Sequence, residues 1–109
     1  MKTQKPILLL ILLLILIPNC KGKEDTINFI PTDKYDLAIV NWVEVFQPSA
    51  LNRQERLEEL LWFKEKAKEF RGKKIKTVAE NIDTHYWESR VLARAFFEIT
   101  GIEVEHEII

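Results

Sequence analysis

Hydrophobic residues follow three different patterns along this chain of 109 residues. From Ile7 to Ile17 they form an unbroken aliphatic run that stops at Pro18. From Leu57 to Phe70 they recur at helical spacing, and from Ile102 to Ile108 they alternate with charged residues, as in a strand with one buried face. The pattern therefore predicts an apolar leader followed by a region that mixes helices and strands.

The leader has the features of a lipoprotein export signal. Lys2 and Lys5 precede an aliphatic run of 11 residues, which is too short to span a bilayer and is typical of a signal-peptide core. Cys20 is the only cysteine, so no intramolecular disulfide can form, and lipid attachment is the better interpretation. We predict a signal peptide over residues 1–19 and an extracytoplasmic, lipid-anchored chain, periplasmic or at the cell surface. The alternative is an uncleaved N-terminal anchor.

Composition argues against two functional classes. Loss of Lys2 and Lys5 with the signal peptide reduces 16 basic side chains to 14, against 17 acidic ones. Basic and acidic residues interleave instead of forming a cationic patch, so we expect no nucleic-acid partner. The sequence contains no nucleophile elbow, phosphate loop or zinc-ligand spacing, so we expect no enzyme, metal or cofactor.

The first half of the mature chain predicts a tether and one helix. Residues 20–35 are polar and form a flexible tether. The segment from Asp36 to Phe46 fits either a strand or a helix, because its β-branched residues favour the former and its spacing allows the latter. Asn52, with Glu55 three residues later, is a capping-box pattern, and it predicts an amphipathic helix that ends at Gly72.

The second half predicts a strand, a helix and a strand. Lys73 to Glu80 has strand composition, Asp83 or Thr84 is suited to cap the helix, Gly101 ends it, and Ile102 to Ile108 is the second strand. A helical crossover implies that the two strands are parallel. Because two parallel strands make a poor independent domain, residues 36–109 are predicted to be an incomplete, truncated lobe.

Three segments carry a resemblance to a known family. The pattern F-x-x-x-T-G-I-x-V occurs in the last of them, Glu88 to Ile109, where it is formed by Phe96, the triplet from Thr100 to Ile102, and Val104. The chain from Trp42 onward resembles the N-terminal region of extracellular solute-binding proteins that serve ABC importers, of the carbohydrate or polyol type. The segments that carry the resemblance are Phe46 to Phe63, Phe70 to His85 and Glu88 to Ile109.

The resemblance implies a fold, a ligand class and a partner. Such receptors have two lobes that close around a sugar or polyol and deliver it to an ABC permease. This chain would then supply the opening of the first lobe of a periplasmic-binding-protein-like fold. Since closure of two lobes buries the ligand, we expect no solute binding by this part alone. The alternative function is a small standalone surface lipoprotein that packs on a partner through exposed apolar residues such as Trp62.

Candidate ligand contacts follow the first predicted strand, because ligands of open α/β sheets bind at the carboxyl ends of strands. Hydroxyl-binding and stacking side chains are both present there. The candidates are Glu80, Asn81, Asp83, His85 and Trp87, with Tyr86 as a second stacking residue. The structural alternatives are a helix cap for Asp83, a turn for Asn81 and core packing for Trp87. His106, in the last strand, is expected to be a partly buried structural histidine and not a metal ligand.

Overall fold

The computed structural model describes residues 28–109, so the predicted signal peptide, Cys20 and most of the tether lie outside the described residues. Helix α1 (Lys34–Val45) and helix α2 (Arg53–Lys66) come first, and a 3-10 turn (Lys68–Phe70) leads to strand β1 (Lys74–Ala79). Helix α3 follows in three consecutive pieces, and strand β2 (Glu103–Ile108) comes last. The pieces of α3 are Asp83–Trp87, the π-helical turn Glu88–Leu92, and Ala93–Thr100. The mixed α/β class with a parallel two-stranded sheet is confirmed.

The ambiguous segment is helical, so two helices precede the sheet where the sequence predicted one. Asp33 caps α1 by accepting a hydrogen bond of 2.8 Å from the backbone N–H of Asp36. Ile39 and Val43 are fully buried four residues apart and lie in the main hydrophobic cluster. Their burial outweighs the weak preference of β-branched residues for strands.

The folded part also begins before Asp36, which corrects the C-terminal boundary of the predicted tether. Phe29 packs against the hydrophobic core, and Tyr35 already belongs to α1. Thr32 donates hydrogen bonds of 2.9 Å from its backbone N–H and 2.8 Å from its hydroxyl to the Asp36 carboxylate. These contacts hold residues 29–35 on the domain.

Helix α2 begins as predicted but ends earlier. The side chain of Asn52 accepts from the backbone N–H of Glu55, and the side chain of Glu55 accepts from the backbone N–H of Asn52, so the capping box is complete. Leu57 and Leu60 are buried, but Phe70 lies beyond the end of α2 and is exposed. The apolar stripe therefore contributes less to the core than its spacing predicted.

The two strands pair in parallel, from Lys74 opposite Glu103 to Ala79 opposite Ile108. One sheet face carries two lysines and three glutamates, which are exposed and form inter-strand ion pairs. The other face lies under α3, which contacts β2 more than β1, and it includes the half-buried pair Thr77 and His106. Strand alternation separates the charged face from the face under the helix.

Helix α3 departs from prediction at its start and agrees at its end. Its N-cap residue is Ile82, without a side-chain hydrogen bond, so the predicted caps Asp83 and Thr84 are wrong. Gly101 ends the helix in the left-handed conformation, with a φ of 77°, and its N–H donates a hydrogen bond to the carbonyl of Phe97.

Within residues 28–109, none of the helices has the length and apolar character needed to cross a bilayer.

Candidate functional site

The carboxyl ends of both strands lie at one edge of the sheet, which we call the carboxyl edge. The backbone N–H of Ile109 donates a hydrogen bond of 2.9 Å to the carbonyl of Ala79, which continues the parallel pairing beyond the last strand residues. Residues 80–82 leave β1 at this edge and lead directly into α3. The candidate residues from Glu80 to Trp87 are thus placed where ligands of open α/β sheets bind.

The candidates form an open surface. Glu80, Asn81 and Asp83 are exposed, and His85 is half-buried with its Nδ1 atom 2.9 Å from the carbonyl oxygen of Glu80. Trp87 is 48% exposed, so the core-packing alternative for this residue is wrong. None of the three cavities found among residues 28–109 is lined by any of these five residues. The edge therefore offers polar groups and an aromatic face without an enclosing wall.

Of the two aromatic residues in this region, Trp87 is the more accessible stacking platform. The ring of Tyr86 is half-buried and the guanidinium of Arg90 lies 5.3 Å from its centroid. The cation already occupies that face of the ring, as cation–π pairs do. Trp87 therefore presents more free aromatic surface than Tyr86.

A second cluster lies under α3 around His106. The Thr77 hydroxyl oxygen is 2.6 Å from His106 Nδ1, and a Glu88 carboxylate oxygen is 3.9 Å from His106 Nε2. That Nε2 atom is buried and has no hydrogen-bond partner in the described part of the chain. The ring centroid of His85 is 6.3 Å from that of His106. The prediction of a partly buried histidine is confirmed.

This cluster contains the residue types of a nucleophilic triad, but its position does not suit catalysis. A hydroxyl, an imidazole and a carboxylate must present the hydroxyl to a substrate. Thr77 lies mid-strand on the face under α3, and none of the three cavities reaches Thr77, His106 or Glu88. Among residues 28–109, no group of three or more His, Cys, Asp or Glu side chains is arranged to hold a metal ion. The cluster joins the two strands to the helix above them.

The largest of the three cavities lies at the opposite end of the sheet, where no site was predicted from the sequence. It is a groove of about 550 Å³ between α1 and the C-terminal end of α3, and we call it the amino-edge groove. Its lining residues are Lys34, Tyr35, Leu37, Ala38, Asn41, Gly72, Phe97, Glu98 and Gly101. The glycines precede β1 and β2, so parallel pairing brings them together, with Gly72 N–H donating to the Gly101 carbonyl at 2.9 Å.

One end of the amino-edge groove is cationic: Lys34 lines it, and Arg71, which is not itself a lining residue, stacks on the lining residue Tyr35. The guanidinium of Arg71 lies 4.0 Å from the ring centroid of Tyr35, and the Lys34 ammonium lies 5.1 Å from the same centroid. The Nε and Nη2 atoms of Arg71 are buried without a hydrogen-bond partner among the described residues. At the other end, Glu98 accepts hydrogen bonds from Trp42 and Arg94.

The acidic group of the groove is held by its own neighbours. The hydrogen bond from Arg94, followed by that from Trp42, lowers the pKa of Glu98 below its usual value. The Trp42 Nε1 to Glu98 Oε2 distance is 2.7 Å, and the Arg94 Nε to Glu98 Oε1 distance is 2.8 Å. Glu98 is thus a carboxylate with both oxygens engaged, away from the cationic end.

A smaller apolar groove of about 280 Å³ lies between α2 and α3. Its lining residues are Phe46, Leu60, Phe63, Leu92, Ala95, Phe96, Ile99 and Thr100. Trp62 is 55% exposed and packs edge-on against Phe63 with centroids 5.2 Å apart. This face is the apolar surface that the alternative function would need.

Comparison of the chain with models of protein families, with curated proteins and with solved structures found no match in any of the three. What the protein does is therefore inferred from its residues and their arrangement.

Proposed function

We propose that this chain is the N-terminal part of the solute-binding component of a carbohydrate-type ABC importer, attached to the extracytoplasmic face of the membrane through a lipid on Cys20. The observation that carries the proposal is the parallel unit of β1, α3 and β2. It occupies the residues in which the resemblance is most specific, and α3 ends at Gly101 before the chain enters β2 at Glu103.

The exposure of the sheet supports a place in a larger lobe. Parallel strands are usually covered on both faces and flanked by further strands. Here, within residues 28–109, the sheet has two strands, and Ile75 and Val78 on β1 are exposed although both are apolar. Further strands and helices of a binding-protein lobe would cover them.

The carboxyl edge supports a sugar or polyol as ligand. Exposed Glu80, Asn81 and Asp83 are suited to hydrogen-bond hydroxyl groups, and Trp87 to stack on the apolar face of a sugar ring. The edge is open, so the second wall of the site comes from another lobe, and closure buries the solute. By itself this chain binds no sugar or polyol, and its role involves no chemical step.

Uptake of labelled solutes tests the receptor role. A strain that lacks the gene should lose transport of one sugar or polyol from a panel, and the wild-type gene should restore it. Trp87→Ala should restore transport poorly, whereas Trp62→Ala, which alters an equally exposed tryptophan away from the carboxyl edge, should restore it fully. Unchanged uptake of every solute in the deletion strain would refute the proposal.

The anchor has its own test. Mass spectrometry of the protein extracted from membranes should give an N-terminal peptide that begins at Cys20 and carries acyl chains. Cys20→Ser should abolish both the acylation and the membrane retention. A mature chain that keeps residues 1–19 would favour the uncleaved anchor instead.

The second candidate is a surface lipoprotein that binds another protein. The observation in its favour is the apolar groove between α2 and α3 with exposed Trp62 beside it. Under this function, Trp62→Ala should abolish cross-linking to a partner in intact cells, and Trp87→Ala should leave it unchanged. The two tryptophan variants therefore separate the two functions.

A further inference from the structure

We infer that the amino-edge groove binds a small organic anion with an apolar body, such as an arylalkyl carboxylate. The groove lies where the strands begin, between α1 and the end of α3, and the proposed sugar site lies where they end. The inference is thus independent of the proposed transport function. The volume of about 550 Å³ is within the range of small-molecule sites.

The cationic end determines where the carboxylate group binds. No salt bridge within residues 28–109 involves Lys34 or Arg71. The Nε and Nη2 atoms of Arg71 are buried without a hydrogen-bond partner among these residues, and a buried donor that lacks a partner is costly. An anion placed beside Tyr35 would offset that cost for Arg71 and pair with the accessible ammonium of Lys34.

The middle of the groove accommodates an apolar body. Leu37, Ala38 and Phe97 line it, and the first and last of these are exposed. Covering exposed apolar surface with an aromatic or aliphatic group is favourable in proportion to the area removed from water. The ligand is therefore amphiphilic, with its charge at one end.

The backbone at Gly101 packs closely against the side chains of Arg71 and Tyr35 at the cationic end. A Cβ atom at Gly101 would lie 3.1 Å from Arg71 Cγ and 3.1 Å from the hydroxyl oxygen of Tyr35. The absence of a side chain there lets Arg71 and Tyr35 stack directly against the turn. Arg71 is thus held beside Tyr35 by packing and does not depend on the ligand for its position.

Glu98 does not compete for the ligand position. Its carboxylate is hydrogen-bonded to Trp42 and Arg94, so it neither neutralises Lys34 nor Arg71. Asn41 is exposed beside it and offers an amide to any polar group at the far end of the ligand. The groove thus has one cationic end and one end with the Glu98 carboxylate, and this difference in charge sets the orientation of the bound anion.

The experiment is a titration of the full chain with 3-phenylpropionate, followed through backbone amide chemical shifts. Saturable shifts are expected at Tyr35, Gly72 and Gly101. The neutral analogue 3-phenylpropanol should bind at least about tenfold more weakly, because it lacks the charge that pairs with the cationic end. Equal affinity of acid and alcohol, or no saturable shift up to about 10 mM, would overturn the inference.

Two variants with matched exposure localise the binding. Leu37 and Val45 are 57% and 55% exposed on the same helix, but only Leu37 lines the groove. Leu37→Glu places a negative charge beside the site and should weaken 3-phenylpropionate binding about tenfold or more, while Val45→Glu should not change it. Equal weakening by both variants would show that overall charge, and not the groove, governs binding.

A charge-removing pair completes the test without touching buried groups. Lys34→Gln should weaken binding of 3-phenylpropionate several-fold. Lys66→Gln, at an exposed lysine that does not line the groove, should leave it unchanged. If Lys34→Gln has no effect, the cationic end does not hold the carboxylate and the inference fails.

Discussion

A three-residue ion cluster fixes the start of α1 on the end of α2. The ammonium of Lys64 lies 2.8 Å from an Asp33 carboxylate oxygen and 2.5 Å from one of Asp36. The Lys64 side chain is 14% exposed and the Asp36 side chain 5%, so this pair is largely withdrawn from water. Removal of either partner therefore leaves a charge in a poorly solvated position.

The pKa of Asp36 indicates how much this ion cluster contributes to the free energy of unfolding. Burial alone would raise this pKa, but the hydrogen bonds from Lys64 and Thr32 outweigh burial and lower it from 3.8 to about 2. A difference of that size between the unfolded and folded chain corresponds to roughly 2 kcal/mol of stability. Because the folded pKa is the lower one, this contribution is complete above the unfolded pKa of 3.8 and is lost as the pH falls toward about 2.

Substitutions in this ion cluster should change the free energy of unfolding accordingly. Asp36→Asn should lower the free energy of unfolding by roughly 2 kcal/mol near neutral pH and flatten its decline in acid. Lys64→Met should cost about 3 kcal/mol, because it leaves the Asp36 carboxylate buried without its cation. The double variant should cost less than the sum of the two. Asp33→Asn, at a carboxylate that is 43% exposed, should cost less than Asp36→Asn, at one that is 5% exposed.

The assay is urea unfolding of the full chain, monitored by circular dichroism and by tryptophan fluorescence, to which the buried indole of Trp42 contributes the change of environment. Measurements at several pH values between about 7 and about 2 give the acid dependence of each variant. Additive costs of Asp36→Asn and Lys64→Met, or an acid decline in Asp36→Asn as steep as in the wild type, would refute the coupling.

Two further predictions concern single side chains. Gly101→Ala should destabilise the protein more than Gly72→Ala. Both glycines have positive φ, 77° and 82°, but only a Cβ at Gly101 meets other side chains. The difference between the melting temperatures of the two variants therefore measures that clash. Trp42→Phe removes one of the two donors to Glu98 and should raise the pKa of that carboxyl toward its usual value. Arg94→Gln should raise this pKa further, and a carbon-detected NMR titration measures both changes. An unchanged pKa in both variants would contradict the hydrogen-bond geometry.

The elements that the sequence predicted well are set by local or periodic signals. The Asn52 and Glu55 pair is a short-range motif, and both of its hydrogen bonds form. The parallel pairing of β1 and β2 follows from a helical crossover of sufficient length, and Gly101 ends that helix because it adopts a left-handed conformation. None of these features requires knowledge of the packing between distant elements.

The features that the sequence did not predict depend on that packing. The helical state of α1 is decided by burial of Ile39 and Val43 against other helices, which a local pattern rich in β-branched residues does not reveal. The amino-edge groove exists only because α1 lies beside the end of α3, 56 residues away at the Trp42 to Glu98 contact. The polar residues of the carboxyl edge, by contrast, follow β1 directly in the chain, so their place at this edge was predictable from the strand pattern.

The two edges of the sheet differ because α1 reaches only one of them. The contact of Tyr35 with Arg71 and the turn at Gly101 closes the amino edge and leaves a bounded groove there. At the carboxyl edge, helix α3 starts at Asp83 without a side-chain cap, and Trp87 and its polar neighbours face solvent. Under the proposed function, a second lobe would approach the carboxyl edge, where surface is available for it. A small anion would enter the amino-edge groove whether or not that lobe is present, so the failure of either proposal leaves the other standing.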